Sequence, residues 1–463
     1  MDQYQRIANI APVKHVLNRA GLPVPTRLSR QHGINRLPDG NCLLGSARDG
    51  YAMNTIPQLI GHYSGLFLHR AEGFSFWPNA NRVTPWPWGS TPDSIDCLVF
   101  DATGIGCTQD IGSLWAFFKT HVRQIAEQAK LLVIARPLDS SLTLEAFTAQ
   151  SAIEGFVRSF AKELKNGATL QCIRVPESSV AHLRTTLDYF LSPASAYVTG
   201  QVIECAPSQW DEAISDSAPL NNKSILITGA AGSIGTATAH LLAERGAKIV
   251  GMDHPHQEAI LANTLAPIGG IPIAVDFNGP ATNISHCIDG LKSESIEFDG
   301  VVHCVGLTRD KTLRRMSKHQ WDQVMQVNLE MPSTINQWLL DHAMIRDNGR
   351  IIMLSSVSGI AGNYGQTNYS TAKSGLIGYI RHLSESLASK GISVNAIAPG
   401  FIETPMTDAM PRAIREVARR LNTLLQGGHP SDVAEAIGWL IHPHSTGITG
   451  QTLRVCGQSI IGA

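Results

Sequence analysis

Lys223-Ser224-Ile225-Leu226-Ile227-Thr228-Gly229-Ala230-Ala231-Gly232-Ser233-Ile234-Gly235 reads as a short apolar strand, a glycine-rich turn and the start of a helix whose pattern continues through Leu241 and Leu242. That order brings backbone N–H groups and a helix N-terminus to one point, where a pyrophosphate is held. Glycine alone is weak evidence, because tight turns use it in any fold. The context adds to it: the next apolar run, Lys248 to Met252, ends at Asp253, 24 positions after Gly229. A carboxylate there is placed to bind the ribose hydroxyls of a dinucleotide. Its charge repels a 2′-phosphate, so NADH is expected over NADPH, with NADPH still possible. The other reading of Asp253 is an ordinary residue in the turn after a strand.

Further on, Ser356-Val357-Ser358 precedes Gly365-Gln366-Thr367-Asn368-Tyr369-Ser370-Thr371-Ala372-Lys373. Tyr369 and Lys373 are four apart, so on a helix they share one face. An ammonium beside a phenol favours phenolate, which predicts a Tyr369 pKa below its ordinary value of about 10. Ser356, thirteen positions earlier, reaches the same substrate oxygen if a strand-to-helix turn brings it back. That is proton-transfer equipment for carbonyl and alcohol chemistry. The bland alternative is a tyrosine and a lysine on an amphipathic helix.

Together these segments resemble the short-chain dehydrogenase/reductase family, and within it the 3-oxoacyl-acyl-carrier-protein (ACP) reductases. The resemblance runs from about Lys223 to the C-terminus. It rests on the glycine loop, Val327-Asn328-Leu329, the Ser356 segment, Tyr369 with Lys373, Asn395 to Gly400, Pro399-Gly400-Phe401-Ile402-Glu403-Thr404, and Ile448-Thr449-Gly450-Gln451-Thr452. The N-terminal extension, Arg415 to Asn422 and Arg454-Val455-Cys456-Gly457-Gln458 are similar to the high-molecular-weight bacterial form. By that resemblance, Tyr369 is the general acid in reduction and the base in the reverse direction. Lys373 tunes it and binds the nicotinamide ribose, Ser356 holds the carbonyl oxygen, and Asn328 holds a water that refills the proton. The cofactor residues it implies are Thr228, Gly229, Ser233, Ile234, Gly235, Asp253, Asp276, Gly306, Tyr369, Lys373, Pro399, Gly400, Ile402 and Thr404. Asn328 has an alternative reading, as a helix residue bonded to its own backbone.

The chain departs from the family at two places. The loop usually reads TGxxxGxG, whereas here glycine stands one place earlier, at Gly232, with Ser233 following. The family's NNAG turn appears as His303-Cys304-Val305-Gly306. Cys304 is expected to pack, with a reactive thiol near the nicotinamide as the alternative.

A chain of 463 residues, 43% hydrophobic and 16% charged, suits two packed domains. A formal net charge of −1 gives no global attraction to nucleic acid or anionic membrane. The eight cysteines are spread without a CxxC pair, which suits a reducing cytoplasm and neither a disulfide framework nor zinc fingers. His254-Pro255-His256 and His442-Pro443-His444 lack further ligands at metal spacing, so no metal is expected. The start lacks a basic-then-apolar signal and no apolar run approaches the length of a span, so no membrane association is expected.

The fold class expected is α/β: a Rossmann-type doubly wound parallel sheet over 222–463, a linker over 206–221, and a degenerate flavodoxin-like or Rossmann-like α/β domain over 1–205. The first domain is expected from a hidden repeat. Glu154 to Leu164 parallels Ile377 to Leu387, Leu191 to Gln201 parallels His442 to Gln451, and Val99 to Gly104 lies where Val302 to Gly306 would. At the offset of 223, Tyr369 falls on Ala146 and Lys373 on Gln150, so the first copy lacks the acid/base pair. Its Gly33, Gly40, Gly45 and Gly50 are scattered, and no nicotinamide is expected there. Residues 1–60 read as helical pieces and loops without a motif, and Pro85-Trp86-Pro87-Trp88 as a rigid surface turn or a recognition loop.

The helix-like stretch Thr308 to His319 carries Arg309, Lys311, Arg314, Arg315 and Lys318. It is either a docking face for an acidic carrier or coenzyme A phosphates, or a solvated charged face. By resemblance Lys390 matches a carrier-binding position, while Asp347 stands at another and leaves acyl-CoA open. Phe401 to Gly428 is similar to the family's substrate lid, with Met406, Met410, Leu421, Leu424 and Leu425 as an apolar wall or as helix packing. The function implied is NAD(P)H-dependent reduction of a 3-oxoacyl thioester on ACP or CoA, in fatty-acid synthesis. A dehydrogenase of polyols, sugars or steroids and a non-catalytic scaffold remain as alternatives. A homodimer is expected, since Gly375 to Leu387 matches the helix through which the family associates.

Overall fold

The computed structural model describes residues 2–20, 22, 24–30, 40–60, 65–68, 83–85, 94–206, 218–445 and 447–459. The chain forms two compact units. One comprises Met1–Gln209 together with Arg419–Gln426, the other Trp210–Ala418 with Gly427–Ala463. Most of the expected linker, Gly33 and the Trp86–Trp88 stretch lie outside the described residues. At the linker's far end Leu220 is buried and donates its N–H to Arg245 O over 2.9 Å.

The first unit contains strands β1 (Asn41–Ser46), β2 (Gly65–Leu68), β3 (Val83–Pro85), β4 (Ile95–Asp101), β5 (Ile125–Ala135), β6 (Thr169–Arg174) and β7 (Val202–Glu204). All pair in parallel, in the order β3-β2-β1-β4-β5-β6-β7. That is the Rossmann order extended by one strand and not the flavodoxin order, which decides between the two architectures open from sequence. The central strand β1 falls in a region that reads as helices and loops. Asn-Cys-Leu-Leu-Gly-Ser is short and buried along nearly its whole length, so it shows neither of the two amphipathic periods.

The second unit contains β8 (Ser224–Thr228), β9 (Lys248–Asp253), β10 (Ile271–Ala274), β11 (Phe298–His303), β12 (Ile345–Leu354), β13 (Ser393–Pro399) and β14 (Thr452–Val455). They too are all parallel, in the order β10-β9-β8-β11-β12-β13-β14. The two sheets share one topology. The helices Leu144–Glu163 and Thr367–Ser386 are each 20 residues long and begin 223 positions apart, the offset found in the sequence.

Each core is built where a strand's apolar run meets a helix stripe. In the second unit Leu226, Val301, Ile351 and Val394 pack with Ile335 and Leu376. In the first, Leu98, Phe100 and Leu131 pack with Phe117, Ile153 and Val157. There the residue in the Lys373 register, Gln150, is buried, donating to Ala102 O at 2.9 Å and Ile105 O at 2.8 Å and accepting from Arg136 N at 3.0 Å. At the end of β4, buried Asp101 accepts from Met53 N and Thr103 N, both at 2.9 Å, and so ties down the loop after β1.

Candidate active site

In the second unit the candidate residues gather at the carboxyl ends of the strands, where open α/β sheets bind their ligands. Thr228 ends β8, Asp253 ends β9, Asp276 follows β10, Gly306 follows β11, Ser356 follows β12 and Pro399 ends β13. Gly229 has φ +71°, and a Cβ there would lie 2.6 Å from Val305 N. A Cβ at Gly235 would lie 2.1 Å from Gly229 O. Both positions therefore require glycine for turn geometry and close packing. Gly232 has φ −72° and is the N-cap of the helix Ser233–Glu244. Ser233 thus opens the helix, and the N–H groups of Ser233, Ile234 and Gly235 have no acceptor within it. Moving the glycine one place earlier leaves the anion-binding end of the helix intact.

Asp253 Oδ2 accepts from Ala231 N at 2.8 Å and Oδ1 from His254 N at 2.7 Å. The carboxylate is fixed against the glycine loop. His254 Nε2 lies 3.1 Å from Asp276 Oδ1, and Asp276 accepts from Asn278 N at 2.8 Å. Beyond β13, Gly400 donates to Val455 O at 2.9 Å. Ile402 is buried and bridges to Gly428, and Thr404 caps the turn Pro405–Asp408. The tight glycine turn, the first-turn N–H groups without an acceptor in the helix and the anchored acid together fit a nicotinamide dinucleotide.

The helix Thr367–Ser386 carries Tyr369 and Lys373 on one face, with the Lys373 ammonium 5.7 Å from the centre of the Tyr369 ring. Lys373 Nζ donates to Leu354 O at 2.8 Å. The Ser356 hydroxyl accepts from Ser358 N at 3.1 Å and acts to hold the Tyr369 phenol down. Asn328 sits in a π-turn, Gln326–Glu330, a local irregularity frequent at functional sites. Its amide donates to Leu307 O at 2.9 Å and Val324 O at 3.0 Å, and its oxygen accepts from Leu307 N at 3.3 Å. Both ends of the Asn328 amide are therefore bonded to backbone, Val324 O being the partner within its own helix. The Asn328 oxygen and the Lys373 ammonium both flank Gly306: a Cβ there would lie 2.9 Å from Asn328 Oδ1 and 3.5 Å from Lys373 Nζ.

A family model described as enoyl-(acyl carrier protein) reductase matches residues 229–457. The 3-oxoacyl-[acyl-carrier-protein] reductase FabG of Thermotoga maritima is 37% identical over 52% of this chain and 99% of its own length. Those of Vibrio cholerae and Escherichia coli are 37% and 36% identical, each over 51% of this chain and 97% of their own. The chain belongs to the short-chain dehydrogenase/reductase family.

Membership in the short-chain dehydrogenase/reductases implies NAD(P)(H) as cofactor and oxidoreductase chemistry in the second unit. Within that frame the ionisation differs from the sequence expectation. Burial pushes Tyr369 up to about 12, against the lowering effect of Ser356. Burial pushes Lys373 down to about 8. The predicted depression of the phenol by the lysine is absent because the ammonium is bonded away, to Leu354 O, and desolvation dominates both groups. Cys304 is pushed up to about 12 by burial, so it is a protonated thiol at neutral pH, in keeping with packing.

Three further features depart from the sequence reading. The stretch Thr308–His319 is not one helix: it holds the short 3₁₀ turn Leu313–Arg315 and enters the helix Lys318–Met325 only after the Ser317 cap. Lys311, Arg314 and Arg315 are exposed there. The five apolar residues of the expected lid wall are split. Met406 is 55% exposed, whereas Leu424 is buried and lies, with Leu421 and Leu425, in a segment that belongs to the first unit. Sequence reasoning also passed over His303, whose Nδ1 lies 3.2 Å from Thr228 Oγ1 and whose Nε2 lies 2.9 Å from Asn336 Oδ1. Burial holds it down at about 4, so it is a neutral strut under the glycine loop. The departure from the NNAG turn was its signal in the sequence. Among the described residues no group of three or more His, Cys, Asp or Glu is placed to hold a metal ion, and no helix is long and apolar enough to cross a membrane.

Proposed function

We propose that the second unit reduces a 3-oxoacyl thioester, carried by ACP or coenzyme A, to the 3-hydroxyacyl thioester, with NADH as the preferred reductant. The observation that carries the reading is the convergence of Ser356, Tyr369, Lys373 and Asn328 beside a dinucleotide loop. The similarity to the 3-oxoacyl-[acyl-carrier-protein] reductases supports the substrate class. The carbonyl oxygen accepts from the Ser356 and Tyr369 hydroxyls, and as charge develops on it Tyr369 gives up its proton. Lys373 orients the ribose and returns the proton through a water held by Asn328. The cofactor, when bound, supplies hydride to the carbonyl carbon. Position and the matched proton come from the protein.

NADH preference follows from Asp253, whose carboxylate faces the ribose position and repels a 2′-phosphate. Unit charges about 5 Å apart at an effective dielectric near 20 interact by about 3 kcal/mol. Asp253→Ala is therefore expected to raise the NADPH-to-NADH ratio of kcat/KM by about 10–100-fold. An unchanged ratio would remove Asp253 from cofactor selection. The exposed Lys311, Arg314 and Arg315 suit carrier or coenzyme A phosphates. The first unit is a degenerate, non-catalytic copy. A homodimer through the helix Thr367–Ser386 and a cytoplasmic location, in keeping with eight free cysteines, complete the proposal.

The test is oxidation of NADH and of NADPH, measured separately, with acetoacetyl-CoA. Turnover with NADH supports the whole reading, and turnover with NADPH alone would overturn the cofactor part. In a series of 3-oxoacyl-CoA substrates kcat/KM is expected to rise with chain length, because binding the pantetheine arm and acyl chain stabilises the transition state. Turnover of polyols, sugars or steroids with no thioester activity would place the protein elsewhere in the family.

A further inference from the structure

Strands β1 and β4 are neighbours in the middle of the first unit's sheet, and their parallel register sets Cys42 directly opposite Cys97. Neighbouring strands lie about 4.8 Å apart, inside the Cα separation of about 4.4–6.8 Å that a disulfide spans. Paired residues also point to the same face of the sheet. The two thiols therefore meet: Cys42 Sγ donates to Cys97 Sγ over 2.9 Å, about 0.9 Å longer than an S–S bond of about 2.05 Å. Both side chains are fully buried. No motif announces the pair, because its members stand 55 positions apart and meet through strand register alone.

The register is locked on the side nearest the sheet's amino-terminal end. Asn41 N donates to Asp96 Oδ2 and Asn41 Nδ2 to Ser94 O, both at 3.0 Å, and a Cβ on Gly40 would collide with the Asp96 carboxylate. Asn41 and Asp96 are themselves half-buried, so the sulfur pair lies one residue in from the point where the strands reach solvent. Burial and the neighbouring Cys97 sulfur hold the Cys42 thiol well above its ordinary value. It is therefore a poor nucleophile while the strands are closed. Strand ends open locally far more often than a whole domain unfolds, and an opening of that size brings the pair within reach of a small oxidant.

We propose that Cys42 and Cys97 are a site of reversible oxidation, closed to a disulfide by a hydroperoxide, and that the bond staples β1 to β4. As the strand ends open, the thiolate of one cysteine attacks a peroxide oxygen and the O–O bond breaks. The hydroxide released takes up the proton that the thiol lost and leaves as water. The second sulfur then attacks the sulfenic acid, the S–S bond forms, and the sulfenic oxygen departs with the second thiol's proton as another water. Each sulfur gives up one electron and the peroxide takes both. A small thiol reverses the reaction by exchange. The bond closes a loop of 55 positions in the unfolded chain and lowers its entropy, while the folded sheet has only to bring two sulfurs about 0.9 Å closer. The stability of the first unit thereby follows the oxidant.

The test exposes the full-length protein to hydrogen peroxide, removes the excess with catalase, and unfolds the protein in iodoacetamide for peptide mass mapping. The peptides holding Cys42 and Cys97 are expected to appear joined, two hydrogens lighter than the separate pair, and to part on treatment with dithiothreitol. The midpoint at which the first unit unfolds is expected to rise by about 5–10 °C on oxidation and to return on reduction. Cys97→Ala is expected to abolish both effects, with Cys42→Ala as the second variant should the first fail to fold; the mapping itself needs neither. Recovery of both cysteines as alkylated thiols after peroxide, even in urea just below the unfolding midpoint where strand ends open most, would overturn the proposal. A joined peptide that forms only after global unfolding would do the same, as would sulfinic acid at either cysteine with no joined peptide. A joined peptide with an unchanged midpoint would overturn the staple.

Discussion

Tyr369→Phe is expected to lower kcat/KM for thioester reduction by about 10³-fold or more. General acid catalysis by one positioned side chain contributes about 10²–10⁴-fold, and here no neighbouring group is placed to substitute. The Ser356 hydroxyl accepts from Ser358 N, and the Lys373 ammonium is bonded to Leu354 O. The tyrosine sits on a helix whose buried apolar face is formed by Ala372, Leu376 and Ile380, so thermal stability is expected to change little. More than a tenth of the parental activity in this variant would remove Tyr369 as the acid. With the phenol at about 12, the side chain keeps its proton through neutral pH, as a donor in reduction must. The reverse direction needs phenolate, so the rate of alcohol oxidation is expected to climb with pH across the range in which reduction is flat with respect to this group.

Lys373→Met is expected to cost about 10²–10³-fold in kcat/KM, through loss of both ribose orientation and proton return. The pH dependence separates this role from packing. Kinetic kcat/KM reports ionisations of the free enzyme, and Lys373 stands at about 8, so activity in the parent is expected to fall as pH rises through about 8. The residual activity of Lys373→Met should lack that limb. Stability responds in the opposite sense. The folded pKa of about 8 lies below the ordinary value of 10.5, so between those values the unfolded chain binds more protons at this site than the folded one. Stability from this group therefore rises with pH from about 8 to 10.5, and the cost of burying the charged form, about 3 kcal/mol, is present in full below about 8. An alkaline limb that persists unchanged in the methionine variant would assign it to another group.

Consider which parts of this picture were legible as text. The strand–glycine turn–helix unit was, because its signals are local: Gly229 needs a positive φ and Gly235 a missing Cβ, and no other residue type meets those needs. The pairing of Tyr369 with Lys373 was, because four residues on a helix fix which side chains share a face. The doubled architecture was, because the repeat at an offset of 223 survived in the helix Leu144–Glu163. Strand β1 escaped notice because it is short and buried on both faces, which erases periodicity. The basic stretch before Lys318 was misread as helical because charge spacing says nothing about where Ser317 caps the helix.

What only the tertiary structure decided lies in two kinds of fact. The first is ionisation: whether Tyr369 is pushed down by a lysine or up by burial depends on the surroundings that bury it and on Leu354 O, which lies nineteen residues from Lys373 in sequence. The second is membership: Arg419–Gln426 follows a reductase helix in the chain, yet Asp2, Gln5 and Tyr197 claim it for the other unit. Sequence determines local backbone needs and periodic faces, since these act within a few residues. Desolvation, ion pairing and hydrogen bonding between remote segments depend on three-dimensional proximity, which the folded chain alone establishes.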